Sequence, residues 1–429
     1  MSDSSTAFTR SDYAAFAQEL YETGIISDPW LEGRERFRLE PVILAEEPYA
    51  RMCAAAEGIG RAYDELAGLV WRNPSLLDDY FHLTPYQKLM WLASGGRWHG
   101  IARLDLFVLA DGSVRTCEMN SDTPSGEAEA VLLNSLRHRF HPDAADPNAK
   151  FGERFIAMVL AMHEASTGAV GAAQPSIGIL YPTDLPEDLS MIALYRRWFE
   201  ARGHSVTLGS PYNLHRTPEG GVALFEHPID IMIRHYKTDW WGERIPAWND
   251  EEDYDDPDPL EIPLRLILDA DAAGTLTVVN PFGAVVTQNK LTMAFLWNQA
   301  DGFSPESQQA IRSFIPETHR LCDLDPAALA KDEWVLKSDY GCEGDEVVIG
   351  RDVGDDIWRR SLEAAIPERW IAQRYFEIMP DGSGMSPNYG LYLIGGRASG
   401  IFTRLSPRST DYHAVVPPTF IARNGGMER

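Results

Sequence analysis

The sequence predicts a mixed fold in which α+β and α/β parts share one chain. Three observations lead to it. Residues 11 to 95 carry apolar positions near helical spacing, residues 101–120 alternate around a turn, and residues 176–210 read strand–helix–strand.

In the first stretch, Ser11 precedes Tyr13, Phe16, Leu20 and Tyr21, and a second run covers Tyr49 to Trp71. Thr84-Pro85 is a helix start before Leu89, Met90 and Leu92. Core packing is the expected fate of these stripes. Residues 150–166 predict one amphipathic helix, and a Gly/Ala-rich stretch at 167–176 reads as a boundary. SIGILYP and HSVTLGS then flank a helix ending at Gly203, which predicts a small parallel-sheet unit. No Gly-rich nucleotide fingerprint accompanies it. The acidic run at 249–261 lacks the central Gly of a calcium loop (Tyr254 stands there) and reads as solvated. The last third alternates strands and helices: WVLKSD, EVVIG, WIAQRYF and GLYLIGG.

Composition narrows the function. Of 429 residues, 44% are hydrophobic and 24% charged, an ordinary globular balance. The formal net charge of −26 argues against nucleic acid and anionic membranes as partners. No apolar run approaches the roughly 18 residues of a membrane span, and the polar N-terminus carries no signal core. Cys53, Cys117, Cys322 and Cys342 form no C-x-x-C pair, so reduced thiols and a cytoplasmic location are expected. His138 and His141 lack a third zinc ligand nearby.

The segment 101–130 is the most informative. Asp111-Gly112 signals a two-residue hairpin turn. Centred there, Ala110 pairs with Ser113, Asp105 faces Glu118, and Arg103 faces Asn120. Thr116, Glu118 and Asn120 then share the face of Asp105. Two opposed carboxylates destabilise a sheet unless positive charge lies between them. A hard divalent cation such as Mg²⁺ fits that place, with Asp105, Glu118 and Asn120 as oxygen donors. Unrelated charges on a solvent-facing strand pair are the alternative. The following loop, SDTPSGEAEA, offers the hydroxyls of Thr123 and Ser125 and a helix N-terminus to an anionic ligand. An ordinary N-cap is the competing account.

Three cationic positions stand out. Lys337 ends a strand before a loop with Gly341 and Gly344, a turn able to bring backbone N–H groups close to phosphates. Lys290 lies at a helix start, where the dipole disfavours it unless an anion binds. Arg404 shares a strand face with Phe402 and would hold a phosphate or carboxylate, or form a structural salt bridge. No P-loop, G-x-S-x-G or H-E-x-x-H pattern occurs.

These segments resemble the synthetase domain of glutathionylspermidine synthase, a circularly permuted ATP-grasp ligase. The matching stretches are RLDLF…CEMNSDTPSGEAEA (103–130), RHYKTDWWGE (234–243), NPFGAVVTQNKLTMAFLW (280–297), WVLKSDYGCEGDEV (334–347), WIAQRYFE (370–377) and GIFTRLS (400–406). The resemblance implies a permuted ATP-grasp fold with an N-terminal helical segment and a small preATP-grasp-like subdomain. It implies two Mg²⁺ ions at Asp105, Glu118 and Asn120, and Arg103 facing the transferring phosphoryl group. Lys290 and Lys337 match nucleotide-phosphate lysines, Gly341–Gly344 the phosphate lid, Gln373 and Phe376 the adenine pocket, and Arg404 a late arginine near the acyl phosphate. The metal acids precede the lysines, which is the permuted order.

The implied activity is ATP-dependent carboxylate–amine ligation through an acyl phosphate, releasing ADP and phosphate. The implied partners are a small-molecule or peptide acid and an amine, with a polyamine as one candidate. The competing expectations are an ATP-grasp phosphotransferase that stops at the phosphorylated product and a non-catalytic nucleotide-binding scaffold. No glutathione-recognition motif can be tied to the loop after Glu118, and an attached amidase domain is not expected. The expected organisation is a helical segment (1–100), the metal hairpin with its helix (101–170), the small α/β subdomain (171–285), the lysine-bearing lid region (286–350) and the C-terminal part of the core (351–429).

Overall fold

A computed structural model describes residues 9–168, 174–183, 188–254, 260–341, 346–407 and 413–423. Gly344, Cys342 and the centre of the acidic run (255–259) lie outside the described residues. The helical start is broken into helices Arg10–Glu22, Glu46–Arg72, Leu76–Asp79 and Pro85–Ala93, with short strands between the first two. Thr84 caps the helix Pro85–Ala93 in a reciprocal capping box with Gln87, and Pro85 takes the first helical position. Its core face is Gln87, Met90, Trp91 and Ser94, while Leu89 and Leu92 are exposed. Tyr21 and Trp71 are exposed as well, so the expected burial fails at these four. The helix Pro85–Ala93 is apolar on several sides, so spacing alone did not select its inner face. The two polar residues of that face are satisfied locally: Gln87 by the box, and Ser94 by donating to the Met90 carbonyl at 2.7 Å.

Three four-stranded sheets form the frame. The first is antiparallel, in the order Arg397–Ser406, Ser386–Ile394, Ile101–Val108, Val114–Asn120. The early hairpin is thus completed by strands from the end of the chain. Leu104, Leu106, Val114 and Met119 join the core beneath the long helix Glu46–Arg72. The second sheet is parallel, in the order Thr277–Val279, Ile231–Arg234, Ile177–Leu180, Val206–Gly209, with helix Leu189–Glu200 making the strand–helix–strand crossover. The third has the order Thr318–Arg320, Trp370–Arg374, Trp334–Ser338, Val347–Ile349. It carries its own core around Trp334, Trp358 and Trp370. Among the described residues no helix is long and apolar enough to cross a membrane.

Candidate functional site

The hairpin register places Asp105 opposite Glu118 and Arg103 opposite Asn120, as the sequence predicts, but by a different route. The turn holds three residues, not two: the Leu109 N–H donates to the Ser113 carbonyl at 2.9 Å, and Gly112 takes φ +75°. That shifts the register by one near the turn, where Leu106 faces Thr116. A bulge at Cys117 shifts it back before Glu118. Thr116 therefore turns to the core side with Leu106 and does not share the face of Asp105, contrary to the sequence expectation. Its hydroxyl donates toward the Asp105 and Glu118 carbonyls at 3.1 and 3.0 Å, which occupies the bulge.

Side chains from all parts of the chain converge on this face. Arg103 Nε donates to Asp105 Oδ1 at 2.9 Å, and Arg404 Nη2 to Asp105 Oδ2 at 2.5 Å. Burial alone would raise the Asp105 carboxyl, but the two guanidiniums outweigh it and hold it at about 2. Gly390 makes the room: a Cβ there would stand 2.7 Å from Arg103 Cδ. Lys290 Nζ lies 3.5 Å from Glu118 Oε2 and also donates to the Gly341 carbonyl. Lys337 Nζ donates to the Cys117 carbonyl at 3.0 Å and to Gln373 Oε1 at 2.9 Å. Gln373 is fixed in turn by Thr318 at 3.1 Å. Phe376 sits half-buried with its ring 5.5 Å from that of Phe107. The opposed acids are thus compensated by Arg103, Arg404 and Lys290, while Lys337 is held on the backbone of the bulge beside Glu118.

The donor set fits a hard divalent ion. Two carboxylates face each other, and Asn120 lies one pleat along, its amide nitrogen buried without a partner among the described residues. Such an orphaned amide can turn and present its oxygen. The Arg404 Nε is likewise buried and unpartnered. Among the described residues no group of three or more His, Cys, Asp or Glu gathers for a metal.

The loop after the hairpin is fastened from below by residues that no sequence motif singles out. Asp122 accepts from Arg234, from the Thr238 N–H at 2.7 Å and from the Thr238 hydroxyl at 3.1 Å. Asn280 accepts from the Gly100 and Ile101 N–H groups and donates to the Ser121 and Asp122 carbonyls. Arg234 is a charge inside the apolar run IDIMIRHY, and that oddity was its signal. Thr123 is half-buried and the Ser125 side chain exposed, while the Ser125 carbonyl accepts from Arg103 at 2.6 Å and from Tyr392 at 2.8 Å. The N-cap of the following helix, Glu127–Arg137, is Gly126 at φ +97°, with no side-chain cap. The ordinary Ser/Thr cap is therefore absent there. Gly126 is required by its φ and by Phe402, whose ring a Cβ would meet at 2.6 Å.

A family model for glutathionylspermidine synthase preATP-grasp matches residues 88–422. No curated protein matches in sequence. Among solved structures, a glutathione synthetase like-effector from Globodera pallida in apo form is similar over 96% of each chain at 11% identity, with a TM-score of 0.61. A putative gamma-glutamylcysteine synthetase from Methylobacillus flagellatus KT covers 82% of this chain and 85% of its own at 12% identity, with a TM-score of 0.44. The first likeness is one of fold. The mixed architecture, with helices first and a small parallel subdomain, is that of a permuted ATP-grasp protein.

Proposed function

Because the chain belongs to the glutathionylspermidine synthase preATP-grasp family, we propose that it is an ATP-dependent carboxylate–amine ligase. It joins a small-molecule or peptide acid to an amine, and the surplus of acidic residues suits a cationic amine such as a polyamine. The observation that carries this reading is the convergence of Arg103, Arg404 and Lys290 on the opposed pair Asp105 and Glu118, with Lys337 on the adjoining Cys117 carbonyl.

In this reading Asp105, Glu118 and Asn120 hold two Mg²⁺ ions. When bound, the ions neutralise phosphate charge and polarise the γ-phosphoryl group for attack. Lys290 and Lys337 bind nucleotide phosphates, Gly341 lies against Lys290 beside them, and Gln373 and Phe376 border the adenine. Thr123 and Ser125 hold the acid so that its carboxylate attacks the γ-phosphorus, forming an acyl phosphate and ADP. Arg103 and Arg404 turn from Asp105 to the transferring group and spread its charge. The amine then attacks the acyl carbon, phosphate leaves, and the amine's proton passes to solvent. The test is ADP release with paired acid and amine candidates. Asp105→Asn and Lys337→Ala should each abolish it; unchanged turnover in either variant overturns the site.

A further inference from the structure

One buried acid beside this site has no part in the reaction as written. Glu127 opens the helix Glu127–Arg137 and is 0% exposed. Among the described residues neither carboxylate oxygen has a hydrogen-bond partner. The groups that face it come from three elements. Arg103 and Tyr392 belong to the antiparallel sheet, Tyr195 to the helix Leu189–Glu200, and Glu129 to its own helix. Tyr195 approaches without reaching a hydrogen bond of normal geometry. Glu129 is occupied by Arg36 at 2.6 Å. Arg103, which donates to the Ser125 carbonyl two residues earlier at 2.6 Å, is therefore the cation within electrostatic reach of Glu127.

A packing role does not account for this residue. A buried carboxyl without a full hydrogen bond costs free energy, and an apolar group of similar volume would fill the space without that cost. Burial pushes its carboxyl up to about 8, with contacts short of full hydrogen bonds from its own N–H, the charge of Arg103 and the Tyr195 hydroxyl pulling the other way. The buried Tyr195 and Tyr392 hydroxyls are pushed well above the usual range and keep their protons. Glu127 is thus the one of these three groups that changes charge just above neutral pH.

We propose that Glu127 is a positioning residue acting through Arg103. With its proton in place it leaves the guanidinium to Asp105, to the Ser125 carbonyl and to an incoming phosphoryl group. When the proton is lost to solvent, the carboxylate draws Arg103 to itself and away from the γ-phosphate position. This rests on the ligase reading, in which Arg103 meets that group.

The test measures calorimetric affinity of the full-length protein for ADP and for ATPγS, each with Mg²⁺, from pH 6.5 to 9.5. ATPγS affinity should fall about 30-fold between pH 7 and 9.5, tracking a group titrating at about 8. ADP, which has no γ-group, should show no such fall. Glu127→Gln keeps the shape without the proton and should hold ATPγS affinity level. A level wild-type profile, an equal fall for ADP, or the same fall in Glu127→Gln overturns the proposal while leaving the nucleotide site intact. The wild-type comparison of the two nucleotides stands even if that variant does not fold. Failure of both nucleotides to bind at every pH overturns the ligase reading and this inference with it.

Discussion

Nucleotide should raise the site's affinity for a divalent ion, and Arg404 should be one reason. With no ligand bound, Asp105 spends both oxygens on Arg103 and Arg404. A carboxyl held at about 2 against an ordinary 3.8 reflects about 2–3 kcal/mol of interaction beyond the burial it overcomes. An ion arriving alone must displace that interaction. An ion arriving with phosphates need not, because the phosphates take the arginines. The coupling is then of the same order, about 30- to 150-fold in affinity. The assay is calorimetric titration of Mg²⁺ with and without saturating ADP. Direct coordination of metal by phosphate also couples the two, so Arg404→Met decides the cause. Removing one of the two arginines should tighten metal-alone binding about tenfold and shrink the dependence on nucleotide. Unchanged metal-alone binding in Arg404→Met would refute the reasoning.

Three further outcomes follow from the same geometry. Asp122→Ala strands the fully buried Arg234 and should cost about 3–5 kcal/mol in denaturant unfolding. Glu127 keeps its proton in the folded protein up to about pH 8 but loses it near 4.5 when unfolded. Stability should therefore fall as pH rises between those values, by about 1.4 kcal/mol per pH unit, and Glu127→Gln should remove that part of the slope. Gly126→Ala places a Cβ 2.6 Å from the Phe402 ring at φ +97°. It should suppress acid-dependent ADP release while calorimetric MgADP binding persists.

Much of this was legible where chemistry and local geometry coincide. The Asp105–Glu118 pairing could be read from alternation and one turn signal, although the turn was miscounted. The extra turn residue and the bulge at Cys117 cancel, so the pairing survived while Thr116 changed sides. Bulges carry no sequence signature as sharp as Asp-Gly, because any residue can supply the unpaired position. The strand–helix–strand unit was legible because buried parallel strands are short and apolar. The fastening of the loop by Asp122, Arg234 and Asn280 was not, since these pairs span 112 and 158 residues and no local pattern links them. The exposed face of the helix Pro85–Ala93 was hidden for another reason. Two polar residues take its inner positions, and polarity is the cue that normally marks the outside.

The site inverts the charge of the molecule around it. The chain carries a net −26, yet here three cations pair with two acids and a fourth, Lys337, is held on the adjoining backbone, a local excess of two positive charges. A local positive field inside an acidic surface draws a polyphosphate inward, while the outer surface attracts cations. The two proposed partners of opposite charge can then be collected by different parts of one molecule. The inner excess must also be closely balanced. Were the two acids absent, four converging cations would repel one another, and without the cations the opposed carboxylates would destabilise the hairpin. Each set makes the other tolerable before any ligand arrives. That is why single removals on either side should alter metal and nucleotide binding together, not one alone.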